Sequence, residues 1–178
     1  MQLIDRLGRN YNQGARFRIG GVFTVDCFNP QGVLRWTAVA KNLVTNVGLD
    51  HILDVVLHAA AQVGTWYVGL KGTGTPAAGD TLATHATWTE NTNYTEGARV
   101  AYNEAAASSQ SITNSANKAS FSINADTQTI AGAFLASVAS GTSGTLLCVA
   151  DFTGGNKSAD SGDTLEVTYT ISAADDGS

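Results

Sequence analysis

The sequence contains little charge, little sulfur and little proline. Only 14% of its residues are charged, against about a quarter in a typical globular protein, and only two are proline. Ten Lys and Arg stand against 15 Asp and Glu, so we expect no nucleic-acid-binding surface. No run of 18 apolar residues occurs, so we expect no membrane contact through a spanning helix. Cys27 and Cys148 lie far apart in strand-like runs, and we expect two buried free thiols.

Short side chains take the place that Lys and Glu usually occupy. The chain has 19 Gly among its 178 residues, with many Ala, Ser, Thr and Asn, and 43% of its residues are hydrophobic. This composition favours a packed core over disorder. Short side chains lose little entropy when they are covered, so such a surface suits close contact with other proteins.

Alternating apolar residues predict a mainly β protein. The cleanest alternation is Thr164–Ser172, and Phe17–Phe28 alternates with a change of phase at Gly20-Gly21 that predicts a bulge. Asn29-Pro30-Gln31-Gly32 predicts a β-turn before a returning strand over Val33–Ala40. We predict a β-sandwich or jelly roll of about eight or nine antiparallel strands, forming one domain over residues 17–178.

One stretch has the period of a helix. It predicts a single α-helix over about 47–62, with Asn46 as its N-cap and Gly64 as its stop. The residues expected on its buried apolar face are Leu49, Ile52, Leu53, Val56 and Ala60. We expect this face to lie over the edge or the end of the sandwich.

The candidates for chemistry are few. Asp50, His51, Asp54 and His58 share one strip of the predicted helix, at spacings that allow two of them to share a metal ion. No further ligand is implied elsewhere, so an ordinary solvated face is the favoured interpretation. The glycine-rich segment 72–76 lacks the Lys-Ser/Thr that a phosphate loop requires. We predict no enzyme: no catalytic residue, no cofactor and no metal site.

Residues 1–16 differ in charge from the rest of the chain. They carry Arg6, Arg9 and Arg16 against a single acid, Asp5. We interpret them as a docking arm that orders against an acidic partner, with the three arginines as charges and Tyr11 as an aromatic anchor. The alternative is a frayed terminus.

Several short pieces give the chain a resemblance to a known group of proteins. In order along the chain they are Trp36-Thr37-Ala38, Lys41-Asn42-Leu43-Val44-Thr45-Asn46-Val47-Gly48-Leu49, Thr65-Trp66-Tyr67-Val68-Gly69-Leu70, Asp80-Thr81-Leu82-Ala83, Trp88-Thr89-Glu90, Thr113-Asn114-Ser115-Ala116, Gly132-Ala133-Phe134-Leu135 and Gly162-Asp163-Thr164-Leu165. Over residues 20–172, this order resembles that of tailed-bacteriophage structural proteins. Within that group, the size, acidity and β-rich pattern are similar to those of capsid decoration (cement) proteins.

This resemblance implies a function without catalytic residues. Decoration proteins are β-sandwich or jelly-roll proteins on the outside of the shell, often trimers or dimers. The implied partner is the major capsid protein, with a homo-oligomer for which a trimer is favoured over a dimer. The implied location is the capsid exterior of the virion, after synthesis in the host cytoplasm. The alternatives are a tail, neck or fibre component and a carbohydrate-binding module, which would need a row of exposed aromatic side chains.

Overall fold

The computed structural model describes residues 17–175, which are mainly β with one helix among them. About 47% of the described residues are strand and 8% are helix, which confirms the predicted mainly β fold. The elements in chain order are β1 (Phe17–Phe28), β2 (Leu34–Val44), α1 (Asn46–Leu57), β3 (Tyr67–Gly74), β4 (Trp88–Asn91), β5 (Val100–Ala101), β6 (Ser111–Thr113), β7 (Ala119–Ser122), β8 (Gln128–Ile130), β9 (Gly132–Ala136), β10 (Leu146–Asp151), β11 (Lys157–Ala159) and β12 (Thr164–Asp175).

The strands pair antiparallel in the order β4-β3-β9-β10-β2-β1-β12-β6, with β5 beside β3 and β7 beside β12. Strand β2 joins two halves of this arrangement: Leu34–Lys41 pair with β1, whereas Asn42–Val44 pair with β10. We call β1, β12, β6 and β7 the first half and β3, β4, β5, β9 and β10 the second half. β8 and β11 form a separate pair. This arrangement is consistent with a β-sandwich, while a jelly roll is not confirmed. The described strands number twelve rather than eight or nine, because several of them have only two or three residues.

The core lies between the two halves. Phe23, Val25 and Phe121 from the first half share one buried cluster with Leu70 and Leu135 from the second half. Phe23, Val25 and Phe121 come from alternate positions of β1 and β7, as the period-two pattern predicted, whereas β3 and β9, which carry Leu70 and Leu135, are buried at successive positions. The core is therefore built mainly by strands, and from α1 the half-buried Ile52 packs against it.

The predicted bulge at Gly20-Gly21 is wrong. β1 pairs with β12 without interruption, and the irregularity lies between Cys27 and Phe28, against β2. A Cβ at Gly21 would lie 2.7 Å from Cε2 of Tyr169, so glycine leaves room for this ring. The ring itself stacks on Phe23 at 4.0 Å between centroids.

The first turn of α1 is fixed to β10. Its N-cap is Thr45 rather than Asn46, because Oγ1 of Thr45 accepts the N–H of Gly48 at 3.1 Å. The N–H of Thr45 donates to the carbonyl of Leu147, also at 3.1 Å. A Cβ at Gly48 would lie 2.2 Å from that same carbonyl oxygen, so only glycine allows this approach.

The helix ends at Leu57, five residues before the predicted end. His58 is the C-cap, and Ala59 adopts a φ of 56°, which turns the chain out of the helix. The N–H of Ala60 then donates to the carbonyl of Asp54 at 3.1 Å, six residues back. This stop was not predicted because a left-handed residue at this position is usually glycine.

The predicted burial of the helix is also wrong. Gly48 is the only buried residue of α1, and Ile52 is half-buried, whereas Leu49, Leu53 and Val56 are exposed. Ala60 lies outside the helix. Because the first turn alone is clamped to β10, the described part of the chain leaves the rest of the apolar face uncovered.

Candidate functional site

The polar strip of α1 does not assemble into a metal or catalytic site. Asp50, Asp54 and His58 are exposed, and the ring of His51 packs edge-on against Trp66 at 5.4 Å between centroids. Within residues 17–175, no group of three or more His, Cys, Asp or Glu is placed to hold a metal ion.

The second half contains a fully buried lysine, Lys71 on β3. Nζ of Lys71 is 2.6 Å from Oδ1 of Asp151, and it donates to the carbonyl of Gly72 at 3.1 Å. Lys71 on β3 and Asp151 on β10 are both in register with Gly132 on β9, which lies between them. Because Gly132 has no side chain, the two charged groups meet across the intervening strand. This pair holds three strands together.

A second ion pair joins Arg99, in the loop before β5, to Glu90 on β4. Nε and Nη2 of Arg99 donate to the two carboxylate oxygens of Glu90 at 2.8 and 2.7 Å, and Nη1 donates to the carbonyl of Val138 at 3.1 Å. The guanidinium lies 5.3 Å from the ring centroid of Phe134. Each of the three guanidinium nitrogens donates to a structural partner, which suits a clamp rather than a ligand site.

Cys27 belongs to a third network. Oδ2 of the buried Asp163 accepts the N–H of Asp160 at 2.8 Å, the thiol of Cys27 at 3.7 Å and a hydrogen bond from Arg35. Burial, reinforced by the negative charge of Asp163, raises the pKa of Cys27 to about 12. A thiol held protonated in this way is a packing group and not a nucleophile.

Cys148 is also a buried structural thiol. It donates to the hydroxyl of Tyr169 at 3.2 Å, and Asn42 donates to the same hydroxyl at 2.9 Å. Burial raises the pKa of Cys148 to about 11 and raises that of Tyr169 as well. The expectation of two buried free thiols is confirmed.

Sequence reasoning did not single out any of these buried charges. Lys71 directly follows an apolar stretch of β3 that includes Val68 and Leu70, and this charge within an otherwise uncharged strand is the one signal that was available. Asp163 and Arg99 stand in polar loop sequence, where nothing separates a buried charge from an exposed one.

The first half presents an outer sheet surface with few charges. We call it the threonine–valine face, and it consists of Val22, Thr24, Val39, Thr168 and Thr170. Thr24 lies opposite Val39 on one side and Thr168 on the other, and Val22 lies opposite Thr170. Val22 and Val39 are 36% and 44% exposed, and the threonines are half-buried. Their neighbours along each strand point into the core, so these five side chains share the outer surface.

Charged residues border this face without entering it. Lys118 donates to Glu166 at 2.9 Å and to Asp26 at 3.3 Å on one side. The hydrogen bond to Glu166 raises the pKa of Lys118, which keeps it charged. Lys41 lies in register with Val22 at the opposite border. The face therefore has an uncharged centre and a polar rim, which is the anatomy of a protein–protein contact.

The second uncovered surface is the apolar side of the helix, which we call the α1 stripe. It consists of Leu49, Leu53, Val56 and Leu57, whose exposed fractions are 41, 55, 72 and 79%. Spacings of three and four place these residues on one side of the helix, and Asp50 and Asp54 flank them. Six described ion pairs are present in residues 17–175, and neither aspartate belongs to one.

The aromatic side chains do not form an exposed row. Trp36, Trp66 and Tyr67 are half-buried, and the described aromatic that is exposed is Phe17. The indole of Trp36 is further fixed by donating to the carbonyl of Ser158 at 2.8 Å. A flat aromatic platform for sugar rings is thus missing from residues 17–175.

The predicted partner-binding residues Arg6, Arg9, Tyr11 and Arg16 lie outside the described residues. The structure neither brings them together nor separates them.

The one described helix has 12 residues, and no helix in residues 17–175 is long and apolar enough to cross a membrane. A comparison with known protein families finds no family whose model matches the chain, and a comparison with curated proteins finds no match.

Proposed function

We propose that the chain is a non-enzymatic structural protein that decorates a tailed-phage capsid and stabilises it by bridging major capsid protein subunits. The observation that carries this proposal is the threonine–valine face, an uncharged sheet surface left open to solvent. The resemblance of the short sequence pieces to phage structural proteins gives the particle on which this face would act.

The chemistry of the face suits a permanent contact. Val and Thr are branched at Cβ and have few rotamers to lose, so covering them costs little side-chain entropy. Stable protein contacts cover about 1,200–2,000 Å² in total, which extends beyond five side chains to their polar rim. On a lattice, many copies act together, so even a modest contact for each copy stabilises the shell.

The mechanism is mechanical. A protein that joins two capsid subunits needs at least two contact surfaces and a rigid body between them. The threonine–valine face and the α1 stripe are two such surfaces, and the buried ion pairs of Lys71 and Arg99 stiffen the second half. We place the protein on the capsid exterior, as a homo-oligomer with a trimer favoured over a dimer.

The number of copies per particle tests the assignment. Purified particles from the phage that encodes this chain are analysed by quantitative mass spectrometry against the major capsid protein. Decoration predicts hundreds of copies, whereas a tail, neck or fibre component predicts about 6–18 by ring symmetry. A count in the lower range, or no copies at all, would overturn the proposal.

A single substitution tests the face itself. Thr24→Lys places a charge at the centre of the face, and Thr142→Lys places the same charge on an exposed loop as the matched control. Because covering an unpaired ammonium is costly, we expect Thr24→Lys to lower occupancy on shells lacking the protein by at least about tenfold. The control should bind normally, and both variants should melt like the parent. Normal binding by Thr24→Lys would exclude this face as the contact.

A further inference from the structure

The area of the α1 stripe favours a contact among several copies of the chain. Its four side chains expose about 450 Å², and every copy carries one such stripe. A stable contact removes about 1,200–2,000 Å² in total from water. Two stripes would supply about 900 Å² and three would supply about 1,350 Å². The stripe therefore reaches the size of a stable contact when three copies meet.

The width of the stripe also favours three helices over two. At 100° per residue, its side chains cover about 100° of the helix circumference, with Val56 and Leu57 at the two borders. The seam of a two-stranded coiled coil is narrower, because it uses positions a and d alone. Around a three-fold axis each helix contacts two neighbours, so the whole width of the stripe is covered.

The order of the side chains along α1 gives the same answer. Leu49, Leu53 and Val56 have the spacing of positions d, a and d in a heptad. Two strands are favoured by a β-branched residue at a and leucine at d. Leu53 followed by Val56 has the reverse order, which is typical of three or more strands.

α1 can offer this side to other copies while it stays attached to its own chain. His51 packs against Trp66, and Ile52 packs against the core, so these two residues are not available for the seam. Asp50 and Asp54 are exposed beside the stripe and outside it, where they stay in water at the rim of the contact. The centre of the contact is then uncharged.

We propose that three copies of the chain associate through their α1 stripes, with three parallel helices around a three-fold axis. Leu49, Leu53 and Val56 point to the axis, and Leu57 packs against the next helix. The inference rests on the proposed function and deepens it, since it assigns the contact between copies. The trimer presents three threonine–valine faces, so the stripe joins the copies and each face joins one copy to the capsid.

Sedimentation equilibrium of the isolated full-length protein tests the association. The chain has a mass of 18.4 kDa, so a trimer, at three times that mass, has about 55 kDa. We expect the trimer to dominate at about 100 µM protein. Leu53→Asp places a charge in the middle of the stripe. Leu34→Asp makes the same change on a leucine of β2 with a similar exposed fraction, 51% against 55%, and is the matched control.

The two variants should differ in association and agree in fold. We expect Leu53→Asp to raise the concentration of half-dissociation at least about tenfold, because the trimer would cover three unpaired carboxylates. Leu34→Asp should leave this concentration unchanged, and all three proteins should give the same circular dichroism spectrum. A parent protein that is a monomer or a dimer at this concentration would overturn the proposal. So would a trimer that Leu53→Asp weakens no more than Leu34→Asp does.

Failure of this inference can be told apart from failure of the proposed function. A count of hundreds of copies per particle, together with a monomer in solution, removes the α1 contact and leaves decoration standing. A trimer in solution, together with a count in the range of a tail or neck component, removes decoration and leaves the α1 contact standing.

Disulfide trapping tests the parallel arrangement. Leu49→Cys and Val56→Cys are oxidised separately with copper phenanthroline; the native thiols are buried. Parallel helices bring like positions together, so we expect each variant alone to form a disulfide between two of the three chains. Asp54→Cys lies off the stripe and should give a markedly lower yield. Disulfides that form only in a mixture of the two variants would show an antiparallel contact, and yields equal to that of Asp54→Cys would show an open stripe; either result overturns the proposal.

Discussion

The ion pair of Lys71 and Asp151 allows the sharpest prediction about stability. Lys71 is completely buried, whereas the side chain of Asp151 remains 40% exposed. Removing the carboxylate by Asp151→Ala leaves a buried ammonium with only backbone carbonyls as partners. Breaking a buried ion pair costs about 3–5 kcal/mol, and water reaching the exposed side of Asp151 reduces this to about 2 kcal/mol.

The same carboxylate should matter far less once the ammonium is gone. Lys71→Met keeps the length of the side chain and removes its charge, at a cost of about 1–2 kcal/mol for the carbonyls of Gly72 and Gly74 that lose a donor. In this background, Asp151→Ala should cost less than about 0.5 kcal/mol, because there is no buried charge left to neutralise. The expected coupling energy is therefore about 1.5–2 kcal/mol.

Urea unfolding of the four proteins at pH 7 measures this coupling directly. Glu104→Ala, which removes an exposed carboxylate outside the described ion pairs, is the control and should change the free energy of unfolding by less than about 0.5 kcal/mol. An Asp151→Ala cost that is the same with Lys71 and with Met at that position would refute the reasoning. The two groups would then be neighbours without energetic interaction.

Three further predictions concern backbone geometry and pH. Gly132→Ala would place a Cβ 1.8 Å from the carbonyl oxygen of Ala150, so we expect a loss of at least about 4 kcal/mol in thermal melts or no folded protein. Gly64→Ala meets nothing within 4 Å and should melt normally. Ala59→Gly should stabilise the protein by about 1 kcal/mol in urea, since Ala59 has a φ of 56°, and no gain would contradict the helix stop. The pKa of Cys27 is raised from 9.0 to about 12, so the unfolded state loses this proton first as the pH rises. Stability should therefore fall above pH ~9 by up to about 1.4 kcal/mol per pH unit, with a shallower slope in Cys27→Ala.

The strands that face water on one side could be predicted from the sequence. β1, β2 and β12 alternate between core and surface, and their bounds lie within a few residues of the predicted ones. The turn at Asn29–Gly32 is confirmed, with the N–H of Gly32 donating to the carbonyl of Asn29 at 2.8 Å. Alternating apolar residues indicate a strand with one buried face. This pattern could not identify β5 and β11, because they have only two and three residues.

The buried charges could not be predicted, because their environment comes from distant parts of the chain. Lys71 is neutralised by a residue 80 positions later, and this contact depends on the missing side chain of Gly132. Gly21 shows the same limit, since the ring it accommodates belongs to Tyr169. A glycine in a strand signals a close approach, but the sequence does not say which group approaches.

The helix shows most clearly where sequence reasoning ends. The period of Leu49, Leu53 and Val56 identifies an apolar side, and burial of that side was the natural expectation. Strands already close the core, however, and a Thr45–Gly48 clamp holds only the first turn against β10. Leucines that the core does not need are costly to leave in water, so their persistence on the surface favours a covering segment or partner. The threonine–valine face carries little charge, and it too favours a covering partner. Both surfaces therefore favour a protein whose final stability depends on what it contacts.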